Sequence, residues 1–347
     1  MDKKLFEKLL TTPSVSGKEL YMQKLLIEEL KDIDDEVITH HSYNTIHVVN
    51  KESKIKVMLA AHIDEIGLMI EEIQSNGTCK LTNVGSIKPE MYIGQVVNVV
   101  KFTNNAYKYI HGVIGYNPNY NTGKMTVRDL ILDLGTTSKE ETLNLVSIGD
   151  VVIHQDKVTY LENNLISSRA LDDKIATFIC CEVLKRIKNE SKNGVYFAST
   201  VGEETTGRGS TFATSMVNPT LAIILDVGSS SDVAYRDNFT RDVKLGNGPM
   251  FTIASNGSEI LCNMLKDIAN KNNIPYQEVV EYSKTWTDFD TIYKQNGGIP
   301  STLISIPLRY MHSSVEVGSL KDVEHIVNLL VEFIKSLDES ITFDPFK

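Results

Sequence analysis

Cysteine, tryptophan and positive charge are scarce in this chain. Its 347 residues include four cysteines and one tryptophan, and 35 Lys and Arg stand against 45 Asp and Glu. A net charge of −10 offers no cationic surface to a polyanion, which argues against nucleic acid and against a basic membrane-surface role. Cys79, Cys180, Cys181 and Cys262 include an adjacent pair but no C-x-x-C spacing. Neither a thiolate zinc site nor a disulfide framework fits them, and reduced thiols in the cytoplasm are expected. No run reaches the roughly 18 apolar residues of a membrane span. The opening MDKKLFEKLLTT turns polar too soon for a secretory leader. Repeats, charged tails and low-complexity tracts are also missing. What is there is an ordinary folded composition, 41% hydrophobic and 23% charged, long enough for one large core or two domains.

Periodicity divides the chain into three stretches. Ser16 to Glu19 has the form of a capping box, with Met22, Leu25, Leu26, Leu30 and Ile33 at helical spacing behind it. A helix over about 17–33 is predicted. Val37, 46–49 and 56–61 read as strands. From about 66 to 158 short alternating runs such as GQVVNVV and KYIHGVIGY are separated by turn signals at NG (76–77) and NPNYNTG (117–123). Residues 67–158 are therefore expected to form a small all-β domain, inserted into a catalytic domain built from 1–66 and 159–347. Beyond 159 strands and helices alternate. Helices are predicted over 171–188, 207–216, 257–270, 288–295 and 320–337, and strands over 194–201, 221–226 and 302–306. That alternation predicts an α/β fold, a mixed central sheet with helices on both faces. Ligands in such sheets collect at the carboxyl ends of strands.

Titratable residues fall at those ends. The apolar run VMLAAHIDEIG carries His62, Asp64 and Glu65; YFASTVGEE ends in Glu203 and Glu204; LAIILD ends in Asp226; LISIPLRYMH leads to His312; and SRALDDK places Asp172 and Asp173 at a helix start. Burying such groups unpaired is costly, so they should face a ligand, a partner or water. Taken singly, each has a plainer reading: a solvated strand end, a turn residue, aspartates favouring a helix dipole, or a hydrogen-bonded structural histidine. His40, His41, His47, His111, His154 and His325 are read that way, as histidines without carboxylate company. Taken together, two imidazoles and several carboxylates from five separate segments, with no thiolate, suit zinc, cobalt or manganese.

HIDEIG, RALDDK, EE followed by GRGS, LDVG and PLRYMHSSVEV, in this order and at these separations, resemble the tetrahedral dodecamer-forming metalloaminopeptidases. That family includes glutamyl and deblocking aminopeptidases, some once labelled endoglucanases. The resemblance spans nearly the whole chain. It implies a zinc-exopeptidase-like fold and two divalent cations per subunit. His62 and Asp226 would hold one, Glu204 and His312 the other, and Asp172 would bridge them. Asp64 would orient the His62 imidazole, and Glu203 would be the general base. Paired cations roughly 3.5–4 Å apart acidify a shared water, which fits removal of N-terminal residues from short peptides. The inserted domain would pair two subunits, and six such dimers would close a shell. The sequence departs from the family pattern at Thr205-Thr206-Gly207, at Trp286-Thr287-Asp288-Phe289 and at Ser314. Trp286 is read as a core or interface aromatic ahead of a pocket wall. Two other readings stand beside the aminopeptidase. One is an N-acyl amino-acid deacylase or carboxypeptidase, which needs a cationic clamp for a free carboxylate and has Arg208, Arg236 and Arg309 as candidates. The other is a non-catalytic shell-forming scaffold.

Overall fold

The computed structural model describes residues 1–103, 106–118, 125–233 and 242–347. In chain order it contains α1 (Lys3–Thr11), α2 (Leu20–Leu30), β1 (Glu36–Thr39), β2 (Thr45–Val49) and β3 (Lys56–His62). Next come β4 (Gly67–Ile73), β5 (Cys79–Val84), β6 (Val96–Phe102), β7 (Tyr107–Tyr116), β8 (Leu130–Asp133), α3 (Lys139–Leu143) and β9 (Val151–His154). The chain then runs through β10 (Thr159–Leu161), β11 (Leu165–Ser168), α4 (Leu171–Glu190), β12 (Gly194–Thr200), α5 (Arg208–Val217) and β13 (Leu221–Ser229). It finishes with β14 (Met250–Ala254), α6 (Glu259–Lys271), β15 (Gln277–Glu281), α7 (Phe289–Ile292), β16 (Ser301–Leu308), β17 (Glu316–Ser319) and α8 (Leu320–Ser336).

Eight strands form one mixed sheet in the order β1-β2-β12-β3-β13-β16-β14-β15. Its centre, β12-β3-β13-β16, is parallel, while β2 joins β12 and β14 joins β16 antiparallel. Alternation along β3 shows why its sequence reads as one apolar run. Val57, Leu59 and Ala61 enter a core shared with α1, α2, α4, α6 and α8, while Met58 and Ala60 enter a second core under α5 and α7. A strand buried on both faces has no solvent side on which to place polar residues.

The chain leaves this sheet after β3 and builds a closed six-stranded barrel in the order β4-β5-β8-β7-β6-β9. Leu68, Ile70, Leu81, Val97, Val99, Ile114, Leu132 and Val152 fill it. The Asn76-Gly77 signal closes the β4–β5 hairpin, with Gly77 at φ 90°. The signal at 117–123 lies outside the described residues from 119 onward. Entry strand β4 and exit strand β9 pair directly, Leu68 opposite Val152, so the barrel opens and closes beside the end of β3.

Several expectations need correction. The capping box does not form: the Ser16 hydroxyl donates to Asp64, and Glu19 Oε1 accepts from the Gly17 amide at 2.8 Å. The helix therefore starts at Leu20 and ends before Ile33. Only Phe289–Ile292 is α-helical within the predicted 288–295. Strands β14, β15 and β17 were not anticipated; each is only four or five residues long.

Candidate metal centre

Register brings the predicted residues to one sheet edge. His62 ends β3 opposite Thr200 at the end of β12, so Glu203 and Glu204, just beyond, reach the same edge. Asp226 lies within β13, opposite Ser305 of β16, because that strand runs on to Ser229. Asp172 opens α4 at non-helical dihedrals, φ −75° and ψ 106°. His312 follows β16 at φ 64°, a left-handed conformation that non-glycine residues adopt only when neighbours enforce it. Here Glu316 does so, accepting the His312 amide at 2.7 Å and the Asp172 amide at 3.1 Å.

Asp172 sits at the middle of the group. Its Oδ1 lies 3.1 Å from His62 Nε2 and its Oδ2 lies 3.2 Å from His312 Nε2. Glu204 Oε1 is 3.5 Å from His312 Nε2, and Asp226 Oδ1 and Glu203 Oε2 are each 3.8 Å from His62 Nε2. Asp64 is fully buried; its backbone carbonyl lies 3.1 Å from His62 Nδ1 and its Oδ1 lies 3.6 Å away. Its carboxylate also accepts the amides of Glu203 at 3.1 Å and Glu204 at 3.3 Å, so one side chain backs the imidazole and fixes the turn carrying both glutamates. All seven predicted residues thus meet in one place.

Two participants, Ser16 and Glu316, were missed, and Asp173 was grouped with the others but given no role. Ser16 completes the hydrogen bonding of Asp64. Glu316, four residues past His312, was visible in PLRYMHSSVEV, but nothing in its spacing marked it. Asp173 is fully buried, and atoms of His62, Asp173 and Asp226 lie within 4.8 Å of one another. Its carboxylate has no hydrogen-bond partner at either oxygen. Two plainer readings also change. His47 does have carboxylate company, with Nδ1 2.7 Å from Asp34 Oδ2. Trp286 is 80% exposed and lines the cavity described below, so it is not a core residue.

The electrostatics fit divalent cations. Burial pushes the carboxyls of Asp173, Glu204 and Asp226 up, and that of Glu203 up to about 10. Burial opposes charge on His312, but the adjacent carboxylates of Asp172 and Glu204 win and raise it to about 11. Five clustered carboxylates face two imidazoles, and at Asp173 and Glu204 a buried oxygen accepts no hydrogen bond. Such an excess of desolvated oxygen ligands is what a hard or borderline cation neutralises.

Glu65 belongs to a separate cluster. Its Oε1 accepts Lys174 Nζ at 2.8 Å and the Ser14 amide at 2.9 Å, and its Oε2 pairs with Arg169. Arg169 Nε reaches Asp156 Oδ1 at 3.0 Å, and Lys174 Nζ also donates to the Thr12 carbonyl at 2.8 Å. Burial raises the Glu65 carboxyl, but the charges of Arg169 and Lys174 outweigh it and hold the group at about 2, against 4.5 in the open chain. The native state then binds fewer protons than the unfolded one between these values. Stability present above pH 4.5 is therefore lost as pH falls toward 2, by up to about 1.4 kcal/mol per pH unit. Urea denaturation of metal-free protein should show a steeper acid slope for the parent than for Glu65→Gln; equal slopes would contradict this account.

A cavity of about 1020 Å³ opens over the centre. His62, Asp172, Glu203, Glu204, Asp226 and His312 line it, together with Thr205, Thr206, Gly207, Trp286 and Thr287, where the sequence departs from the family pattern. Neither Arg208 nor Arg309 lines it: Arg309 is held by Asp232 at 2.6 and 3.0 Å, and Arg208 lies 3.6 Å from Glu19. Arg236 lies outside the described residues.

Comparison with known proteins agrees with this geometry. The M42 glutamyl aminopeptidase family model matches residues 44–329. A lysyl aminopeptidase of Pyrococcus furiosus is 30% identical over 350 residues, covering 97% of this chain and 99% of the relative. The structure of an aminopeptidase from the archaeon Desulfurococcus kamchatkensis superposes with a TM-score of 0.88 at 31% identity, covering 96% of this chain and 94% of that one. A Pyrococcus horikoshii TET1 peptidase, described as assembling into a tetrahedron or a large octahedral shell, gives 0.82 at 29% identity over 96% and 99%. The chain belongs to the M42 glutamyl aminopeptidase family and is an aminopeptidase, a hydrolase acting on peptide bonds.

Proposed function

We propose that this aminopeptidase depends on two divalent cations and removes N-terminal residues from short peptides. The observation that carries the reading is the two-sided contact of Asp172, one oxygen toward His62 and the other toward His312. His62 and Asp226 would hold one cation, Glu204 and His312 the other, with Asp172 shared. Zinc and cobalt suit these ligands best, and manganese is compatible. When bound, such a pair supplies polarisation of the scissile carbonyl and acidification of a water. The rest falls to the protein. Asp64 holds His62 in one orientation and keeps its imidazole directed at Asp172. Glu203 is not among the proposed ligands, so its Oε2 is free to take a proton from the attacking water and return it to the departing amine. The surrounding carboxylates attract the substrate's cationic α-amine, which restricts cleavage to a chain end.

Other expectations attach to this reading. The division into a catalytic domain, 1–66 and 159–347, and an inserted domain, 67–158, corresponds to separate tasks: chemistry and subunit pairing. Exposed Val96 and Val113, opposite each other on β6 and β7, support a second copy covering that face of the barrel. A homododecameric shell admitting only short unfolded peptides is the assembly we propose, in keeping with the horikoshii neighbour. Four buried, unpaired cysteines support a reducing, cytoplasmic setting. Among the described residues no helix is long and apolar enough to cross a membrane. Neither of the described candidate arginines of the deacylase or carboxypeptidase reading reaches the cavity.

The deciding experiment is a panel of unblocked aminoacyl anilides beside N-acetylated and C-terminal-only counterparts, with and without chelator. Hydrolysis confined to the unblocked set and abolished by chelation is expected. Turnover that survives exhaustive chelation, or that prefers blocked substrates, would overturn the proposal.

A further inference from the structure

Arg169, Glu65, Asp156 and Lys174 have no part in the chemistry just proposed, yet Arg169 and Lys174 are buried, at 3% and 0% exposed. We infer that Arg169 is a positioning residue: gripping Glu65 on one side and Asp156 on the other, it sets the turn that carries Asp172 against the strand end that carries His62, and ties both to the exit of the barrel. The inference rests on the metal-dependent reading of the site.

Chain position makes the connection. Glu65 lies three residues beyond His62, and Arg169 three residues before Asp172. Their ion pair therefore joins the two segments whose side chains meet in the 3.1 Å contact of His62 with Asp172. Between Arg169 and Asp172 the backbone turns through Ala170 at φ 54°, so the turn needs outside support to hold its shape. Asp156 is the third anchor, two residues past the end of β9.

A small cavity of about 20 Å³ separates the cluster from the centre, with room for roughly one water. Arg169, Tyr92 and His154 line one part of it; Asp172, Glu204 and His312 line another. Tyr92 and His154 come from the barrel and stack with ring centroids 4.0 Å apart. Barrel side chains thus line the same small cavity as the proposed metal-holding groups, and His154 Nδ1 is buried without a partner.

Stability alone is a poor reason to retain such a cluster, because well-packed apolar side chains often replace buried ion pairs at no loss. An apolar replacement cannot reproduce direction. The guanidinium presents donors in a rigid planar fork and meets two carboxylates at fixed angles, whereas an ammonium on a flexible stem does not.

The test uses the full-length assembled protein and Arg169→Lys, which keeps the charge and loses the fork. Expected are a kcat lower by about ten- to a hundredfold with KM within about twofold, and weaker zinc binding by a similar factor in chelator competition. Assembly state by sedimentation velocity should match the parent. Asp156→Asn, which leaves the Glu65 arm intact, should move both quantities the same way by about three- to tenfold. It decides the matter alone if Arg169→Lys does not fold. Parental kcat and zinc affinity in the folded variants, with only a lower melting temperature, would make Arg169 merely structural and overturn the inference. Failure of the functional reading looks different: the parent itself would lack chelator-sensitive turnover, whatever the zinc affinities of the variants.

Discussion

Glu203→Gln is expected to bind the parental complement of metal, keep the parental fold and assembly, and turn over unblocked substrates about 10²- to 10⁴-fold more slowly. The amide matches the carboxylate in shape but cannot accept the proton. Burial and the neighbouring carboxylates Asp226, Asp288 and Glu204 outweigh the nearby His62 and push the Glu203 carboxyl up to about 10. Positive charge placed beside it would favour ionisation and bring it toward the working range. The glutamine variant should therefore show a changed kcat with little change in KM. Elemental analysis and single-turnover kinetics on one preparation would check both halves. Undiminished turnover would move the base elsewhere, with Asp173 the next buried carboxyl to test.

Asp172→Ala is expected to act differently, through loss of metal. Its two oxygens face different histidines, at 3.1 Å and 3.2 Å, so no other carboxylate of the group can take over both contacts. Truncation should leave the isolated protein with less than its full metal content and turnover at the level of chelated parent, a loss of about 10⁴-fold or more if both cations take part in the step. Asp64→Asn should be milder. Asp64 touches the back of His62 and two backbone amides, and such indirect support is worth about ten- to a hundredfold in affinity or rate. Elemental analysis and turnover measured together would separate the two classes. Full metal content in Asp172→Ala would dissolve the bridging role.

How far the sequence was legible depended on the kind of signal. The sheet and its flanking helices followed from periodicity, since β3, β12 and β13 are buried on both faces and α8 carries a clean apolar stripe. The barrel could be read as β-rich from short alternating runs, but its closure depends on which strands pair across long separations, and no local pattern encodes that. Ser16 was misread because a short hydroxyl side chain before a helix fits a cap equally well whether it serves the helix or a distant carboxylate. His62, Asp172, Glu203, Glu204, Asp226 and His312 were accessible because apolar strands led up to most of them, and their order matched a family pattern. Asp173, beside Asp172, was placed in the group but given no role, because adjacent aspartates at a helix start have a sufficient local explanation in the helix dipole. Glu316 and Arg169 act through contacts 144 and 104 residues away in sequence, to Asp172 and Glu65, and single-sequence reasoning has no handle on such pairs.

The pairing of β4 with β9 has a consequence for how this architecture tolerates its own insert. Because Leu68 and Val152 are neighbours in one ladder, the barrel fastens its own two ends together. The host layer then has no long floppy excursion to close, and the entropy of holding those ends is met inside the guest. Length and decoration of the guest's outer loops are thereby uncoupled from the folding of its host, provided its packing on Val15 and the short return path through Asp156 to Arg169 are kept.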